Sequence, residues 1–223
     1  MSMANLIVQP DAAYLMTDSG LFTPSGMLLA LGPKVLAVRS QALAIATTGS
    51  LHVCVLAPLL HSIPDWETCD QEVFVRALPG VVRAFYAGEG LNPDQLPSEV
   101  FIALYSRRMG RPMGLSFITG YPTPLPGVEP WKLSPCLQAL NPGVDLCEVY
   151  GSGVRLRDPS FVPWRDAMPL VEAQRAIRAG WGFIPDGVSA VAGDITLTIV
   201  SAAGIECTSL HTYADVEGER VAA

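Results

Sequence analysis

The order of elements along the chain predicts an α+β fold with antiparallel sheets. Apolar runs of four to seven residues, each bounded by Gly, Pro, Ser or Asp, recur through the chain as short strands do. Segments with helical spacing fall between groups of strands rather than alternating with them one for one, which disfavours a doubly wound parallel sheet. No internal repeat is present.

Asn5 to Val8 and Ala12 to Met16 are rich in strand formers, and Gln9-Pro10-Asp11 between them has turn chemistry. Thr17-Asp18-Ser19-Gly20 closes the second strand. Met27 to Leu31, Lys34 to Arg39 and Leu43 to Thr48 follow as further strands. From Leu51 to His61 the apolar positions take helical spacing, with Ser50 placed to cap the start. Glu67 to Ala87 repeats that spacing through Val73, Phe74, Leu78, Val81, Val82 and Phe85, with Pro79 expected to kink or shorten the helix. Val100 to Ser106 and Leu115 to Ile118 read as strands joined by an Arg-Arg-Met-Gly-Arg-Pro hairpin. Thr119 to Leu146 carries Pro at 122, 124, 126, 130, 135 and 142 and reads as loop, the kind of long irregular segment that serves function, an interface or a lid. Glu148 to Gly151 reads as a short strand, Pro169 to Gly182 as a helix with Pro in its first turn and Gly at its end, and Ile195 to Val200 with Ile205 to Leu210 as a final hairpin.

Composition bounds the function classes. The 223 residues are 50% hydrophobic and 16% charged, enough for a sizeable core and consistent with one domain over 1–223 carrying a proline-rich insertion at about 119–147. The longest apolar run, Val53 to Leu60, is too short to span a bilayer and contains Pro58, so no membrane association is expected. Met1 to Tyr14 has no Lys or Arg, so no secretory leader is expected. The net charge of −7, with only Arg107, Arg108 and Arg111 clustered, argues against nucleic acid as a partner. Cys54, Cys69, Cys136, Cys147 and Cys207 are odd in number and lack metal spacing, which predicts buried thiols in a reducing cytoplasm. There is no Walker loop, G-x-S-x-G, H-E-x-x-H or dinucleotide fingerprint, and His52, His61 and His211 share no metal-ligand spacing. No cofactor or metal is expected, and a base other than His is required.

Ser2, Asp18 and Lys34 are separated by two equal intervals of sixteen residues. Ser2 becomes the amino terminus if Met1 is removed, which a small second residue permits. In this pattern the chain resembles the proteasome β-subunit family of N-terminal-nucleophile hydrolases. Ala12-Ala13-Tyr14-Leu15-Met16-Thr17-Asp18-Ser19 looks like that family's strand ending in Ala-Asp-Ser or Ala-Asp-Thr, and Gly32-Pro33-Lys34-Val35 like its lysine strand. Leu43-Ala44-Ile45-Ala46-Thr47-Thr48-Gly49 is similar to the strand that leads to the oxyanion glycine, here Gly49, with Thr48 as the competing donor. Gly151-Ser152-Gly153 and Asp186-Gly187-Val188-Ser189 resemble the serine turn and the Asp-x-x-Ser pattern that support the nucleophile. About two thirds of the chain matches; the proline-rich segment has no counterpart.

The resemblance implies a four-layer αββα sandwich of two antiparallel sheets, with Leu51 to His61 and Glu67 to Ala87 on one side and Pro169 to Ala179 on the other. It implies hydrolysis of peptide or other amide bonds through an acyl-enzyme on Ser2, with Asp18, Lys34, Gly49, Ser152, Asp186 and Ser189 as the other site residues. It also implies a homo-oligomeric ring acting on peptide or protein substrates, with any ATPase partner unknown. The chemistry is coherent. A free α-amine has a reference pKa near 8 and can take the hydroxyl proton. A neighbouring ammonium favours the alkoxide, and a carboxylate fixes that ammonium. The chain has 12 Arg but only two Lys, and position 34 keeps one, where a forked guanidinium would be bulkier and more diffuse. The alternative is a catalytically silent proteasome-like scaffold or assembly subunit, favoured by the insertion and by Met3, where the family prefers a small hydroxyl residue.

Overall fold

The computed structural model describes residues 3–23, 25–121, 128–151, 155–177 and 187–221. β1 (Ala4–Val8) and β2 (Ala12–Thr17) pair about the Gln9 turn, followed by the short β3 (Gly20–Phe22) and β4 (Leu28–Leu31). Next come β5 (Val35–Val38), β6 (Leu43–Gly49), α1 (Val53–Leu59) and α2 (Gln71–Gly88). Strands β7 (Ser98–Ser106) and β8 (Arg111–Ile118) turn at the arginine hairpin, then β9 (Ser134–Pro135) and β10 (Gln138–Asn141) follow. The chain continues with α3 (Leu146–Tyr150), α4 (Pro163–Asp166), α5 (Met168–Arg175), β11 (Asp194–Ser201) and β12 (Gly204–Thr212).

All pairings are antiparallel. One sheet has the order β10-β1-β2-β11-β12, a second β5-β6-β7-β8-β9, and β3-β4 form a third. Alternation along the strands sends one set of side chains to a shared interior. Leu6, Ala13 and Leu15 from the first sheet meet Ala44, Ala46, Phe101 and Ala103 from the second. The small Ala residues let the backbones approach while Phe101 fills the space between. The opposite face of the second sheet packs Ile45 and Ile102 on Phe74, Leu78 and Val82 of α2, and that of the first packs Met16 and Leu197 on Leu170 and Val171 of α5. Each fully buried Leu or Ile contributes roughly 1.5–3 kcal/mol by leaving water.

The expected four-layer αββα sandwich is corrected by this structure. Strand accounts for 36% of the described residues and helix for 24%, in three antiparallel sheets with five helices, so the described molecule is mostly β. A helical layer needs amphipathic segments of several turns, and among the described residues only α2, at 18 residues, has that length. The segment expected as helix from Leu51 to His61 yields seven residues of α1 and then a 3₁₀ turn at Leu60–Ser62. The helix expected from Pro169 ends at Arg175; residues 178–186 lie outside those described.

Other expectations are also corrected. Helix α1 is capped by His52 rather than Ser50. Helix α2 carries Pro79 inside it and is not cut short there, and Asp70 caps it by accepting from Glu72 N at 2.8 Å. The Glu148 strand is helix α3, because Asp145 accepts from Cys147 N at 2.7 Å and so starts a helical turn. The proline-rich stretch contributes β9 and β10, since Pro135 sits on an edge strand that tolerates a missing donor. The cysteines are not core: Cys54, Cys147 and Cys207 are exposed, and Cys69 and Cys136 half-buried.

Candidate active site

Asp18 follows β2 directly, and Lys34 precedes β5 by one residue, so both lie at strand ends where backbone turns away from the sheet. They meet in the interior. Lys34 Nζ donates to Asp18 Oδ1 at 2.5 Å, with both side chains essentially without solvent contact. The carboxylate is further held by three main-chain donors: Met3 N to Oδ1 at 2.8 Å, Ala192 N to Oδ2 at 3.0 Å and Gly20 N to Oδ2 at 3.2 Å. Burial pushes the Asp18 carboxyl up and the Lys34 ammonium down; their mutual attraction acts against both shifts, and the Ala192 and Met3 N–H donors act against the first. Four donors on one carboxylate are what a buried anion requires.

The donors on Oδ2 are held by their own partners. Along 191–194 every residue is tied: Val191 O accepts from Arg175 at 2.7 Å, Ala192 N reaches Asp18, Gly193 N reaches Asp215 at 2.9 Å and Asp194 N reaches Ser19 Oγ at 2.8 Å. Arg175 and Asp215 form a two-pronged ion pair at 2.7 and 2.9 Å. Ser189 is buried and its Oγ accepts from Val191 N at 3.1 Å, so it shapes this segment instead of touching Asp18 or Lys34. Ser2, Ser152 and Asp186 lie outside the described residues. The structure therefore brings Asp18 and Lys34 together, sets Ser189 behind them, and ties Met3, the residue after Ser2, to the same carboxylate.

Gly49 ends β6 with φ +88°, a left-handed conformation that suits glycine. The turn after it is held by a saturated hydroxyl. Ser98 Oγ accepts from Leu51 N at 2.7 Å and Ser50 N at 3.1 Å, and lies 2.8 Å from Tyr86 Oη. Because the Tyr86 proton goes to Leu96 O at 2.9 Å, Ser98 donates its own proton to Tyr86, which fixes every hydrogen in the group. Ser98→Ala is expected to leave the Leu51 N–H unpaired, while Ser50 N keeps Pro97 O at 3.2 Å, and to lower thermal stability by more than Tyr86→Phe, by roughly 1–3 kcal/mol. Thermal unfolding of both variants checks the order.

His52 is the residue that sequence reasoning set aside. Its Nδ1 accepts from Cys54 N at 3.3 Å, which places the ring proton on Nε2, and Nε2 is buried without a partner. Burial, with the positive charge of Lys34 second, pushes its pKa down, so the ring is neutral and close enough to feel the ammonium. No sequence signal exposed this, since the contact is made across the fold. Among the described residues no group of three His, Cys, Asp or Glu side chains is disposed to hold a metal ion, and no helix is long and apolar enough to cross a membrane. No model of a known protein family matches the chain, and no curated protein matches it.

Proposed function

We propose that this chain is a proteasome-like N-terminal-nucleophile hydrolase that cleaves amide bonds of peptides through an acyl-enzyme on Ser2, after loss of Met1. The observation that carries the reading is the Asp18 carboxylate, bound at once by the Lys34 ammonium and by the Met3 peptide nitrogen. That nitrogen is covalently joined to Ser2, so the chain connects the proposed nucleophile to the buried Asp18–Lys34 pair.

The α-amine takes the Ser2 hydroxyl proton as the oxygen attacks the substrate carbonyl carbon. Lys34, kept in place by Asp18, stabilises the developing alkoxide and lowers the basicity the amine needs. The carbonyl oxygen becomes an oxyanion facing the Gly49 N–H, a contribution of about 3–4 kcal/mol in hydrolases of this kind. The carbon–nitrogen bond breaks, the leaving amine takes the proton from the α-ammonium, and water then hydrolyses the ester by the same steps. The proposed setting is a homo-oligomeric ring in the cytoplasm, with peptide or protein substrates.

The scaffold reading accounts for the same contact, since a purely structural N-terminus would also bury Met3 and spend its N–H on Asp18. Ser2→Ala separates the two. The hydrolase reading expects peptide cleavage to fall by a factor of about 10³ or more with unfolding unchanged. Equal cleavage by Ser2→Ala and the wild type, or none by either, favours the scaffold.

A further inference from the structure

Glu99 lies in β7 opposite Thr48 and Ile118. Strand alternation puts it on the face of Phe101 and Ala103, the face turned toward the other sheet. A carboxylate there is costly unless paired. Among the described residues no Lys, Arg or His pairs with it. Its hydrogen-bond donor is the Asn141 amide, 3.2 Å from Oε2 and also 3.0 Å from Thr48 Oγ1. Burial pushes the Glu99 carboxyl up, and the amide holds it back in part.

The carboxylate borders a cavity of about 330 Å³ whose polar walls are Ser116, Tyr121, Glu129, Lys132 and Ser134. Lys132, the cation in that lining, is taken by Glu129 at 2.8 Å. The cavity therefore offers an unneutralised carboxylate, hydroxyls to complete a hydration-like shell, and room for one long side chain. It also sits at the end of the sheets where β1 begins and β6 ends. Asn141 is the register partner of Ala4, two residues beyond Ser2, and Thr48 precedes Gly49.

We propose that the Glu99 cavity is a subsite for the cationic end of a basic side chain carried by the substrate. The proposal rests on the hydrolase reading for the word substrate, while the cation site itself stands on the cavity and the unpaired carboxylate. A lysine ammonium would donate charge-assisted hydrogen bonds to Glu99, and its methylene stem would lie along Phe117, Ile118 and Val128.

The test is calorimetric titration of the Ser2→Ala protein with N-acetyl-lysine methylamide and with its norleucine isostere, at about pH 8, well above the ordinary carboxyl range. The lysine probe is expected to bind at least about tenfold more tightly, with the preference lost in Ser2→Ala/Glu99→Gln and retained in Ser2→Ala/Lys132→Met. Equal affinity of the two probes overturns the subsite without recourse to any Glu99 variant, so a folding failure of Glu99→Gln leaves the test intact. Displacement of the lysine probe by potassium at equal concentration assigns the cavity to inorganic cations and also overturns it. Wild-type protein is separately treated with a hydroxyl-directed inhibitor. Labelling of Ser2 without a lysine preference removes the subsite alone; a lysine preference without labelling removes the hydrolase reading and keeps the cation site.

Discussion

Lys34→Met is expected to abolish acylation of Ser2 and to destabilise the fold by about 3–5 kcal/mol at neutral pH, because it leaves the Asp18 carboxylate buried without its cation. Methionine matches the stem of lysine closely, so packing changes little and the loss is electrostatic. The dependence on pH follows from the carboxyl. Burial already raises Asp18, and the charge of Lys34 is the largest influence holding it down. Without Lys34 it rises further. A carboxyl raised in the folded state binds its proton more tightly there than in the unfolded chain. The variant is therefore most stable below the unfolded-state pKa and loses stability as pH rises through the folded-state pKa. Urea unfolding at about pH 4.5 and about pH 7.5 should show a smaller gap from wild type at the lower value. A gap that is constant across this range contradicts the ion-pair account.

Gly49→Ala is the second large effect. A Cβ on residue 49 would stand 2.2 Å from Pro97 O and 2.9 Å from Ser98 Cα, both backbone atoms that cannot swing aside. The φ of +88° adds strain for any L side chain. The expected cost is roughly 2–5 kcal/mol in stability. The same clash pushes the turn away from Ser98 Oγ and moves the Gly49 N–H, so hydrolysis should fall by about 10²–10³ in kcat. Peptide cleavage and thermal unfolding measured on one preparation check both. Wild-type stability in Gly49→Ala would show that the turn relaxes freely, and unchanged kcat would remove Gly49 as oxyanion donor.

Much of the strand order was legible because antiparallel strands that pack on two sides write their own period. Leu43 to Thr48 and Ala12 to Met16 needed only their runs of apolar residues and the turn residues at each end. The helical content was overestimated, since helical spacing in Pro169 to Gly182 says nothing of where tertiary contacts stop supporting a helix. Strands β9 and β10 were hidden among prolines because their pairing depends on partners, Gly114 to Ser116 and β1, remote in sequence. The site divides the same way. Asp18 and Lys34 were reached through the family resemblance that their equal spacing carries, because a residue type and its position are written in the sequence. The N–H groups of Met3, Gly20 and Ala192 could not be reached that way, because every residue except proline has one and only the fold aims it. Ser98 and Tyr86 are equally silent in the sequence: their role comes from which proton goes where. Glu99 fell outside the strand expected from Val100 to Ser106, and only the fold shows its inward face and missing cation.

The central claim is that residue 2 carries a free amine and a reactive hydroxyl beside the Asp18–Lys34 pair. Intact mass spectrometry of the protein before and after treatment with a peptide boronate or β-lactone, followed by peptide mapping, tests it directly. The account predicts a chain lighter by one methionine that gains a single adduct on Ser2 in the wild type and none in Lys34→Met. A chain that retains Met1 and takes no adduct would contradict it.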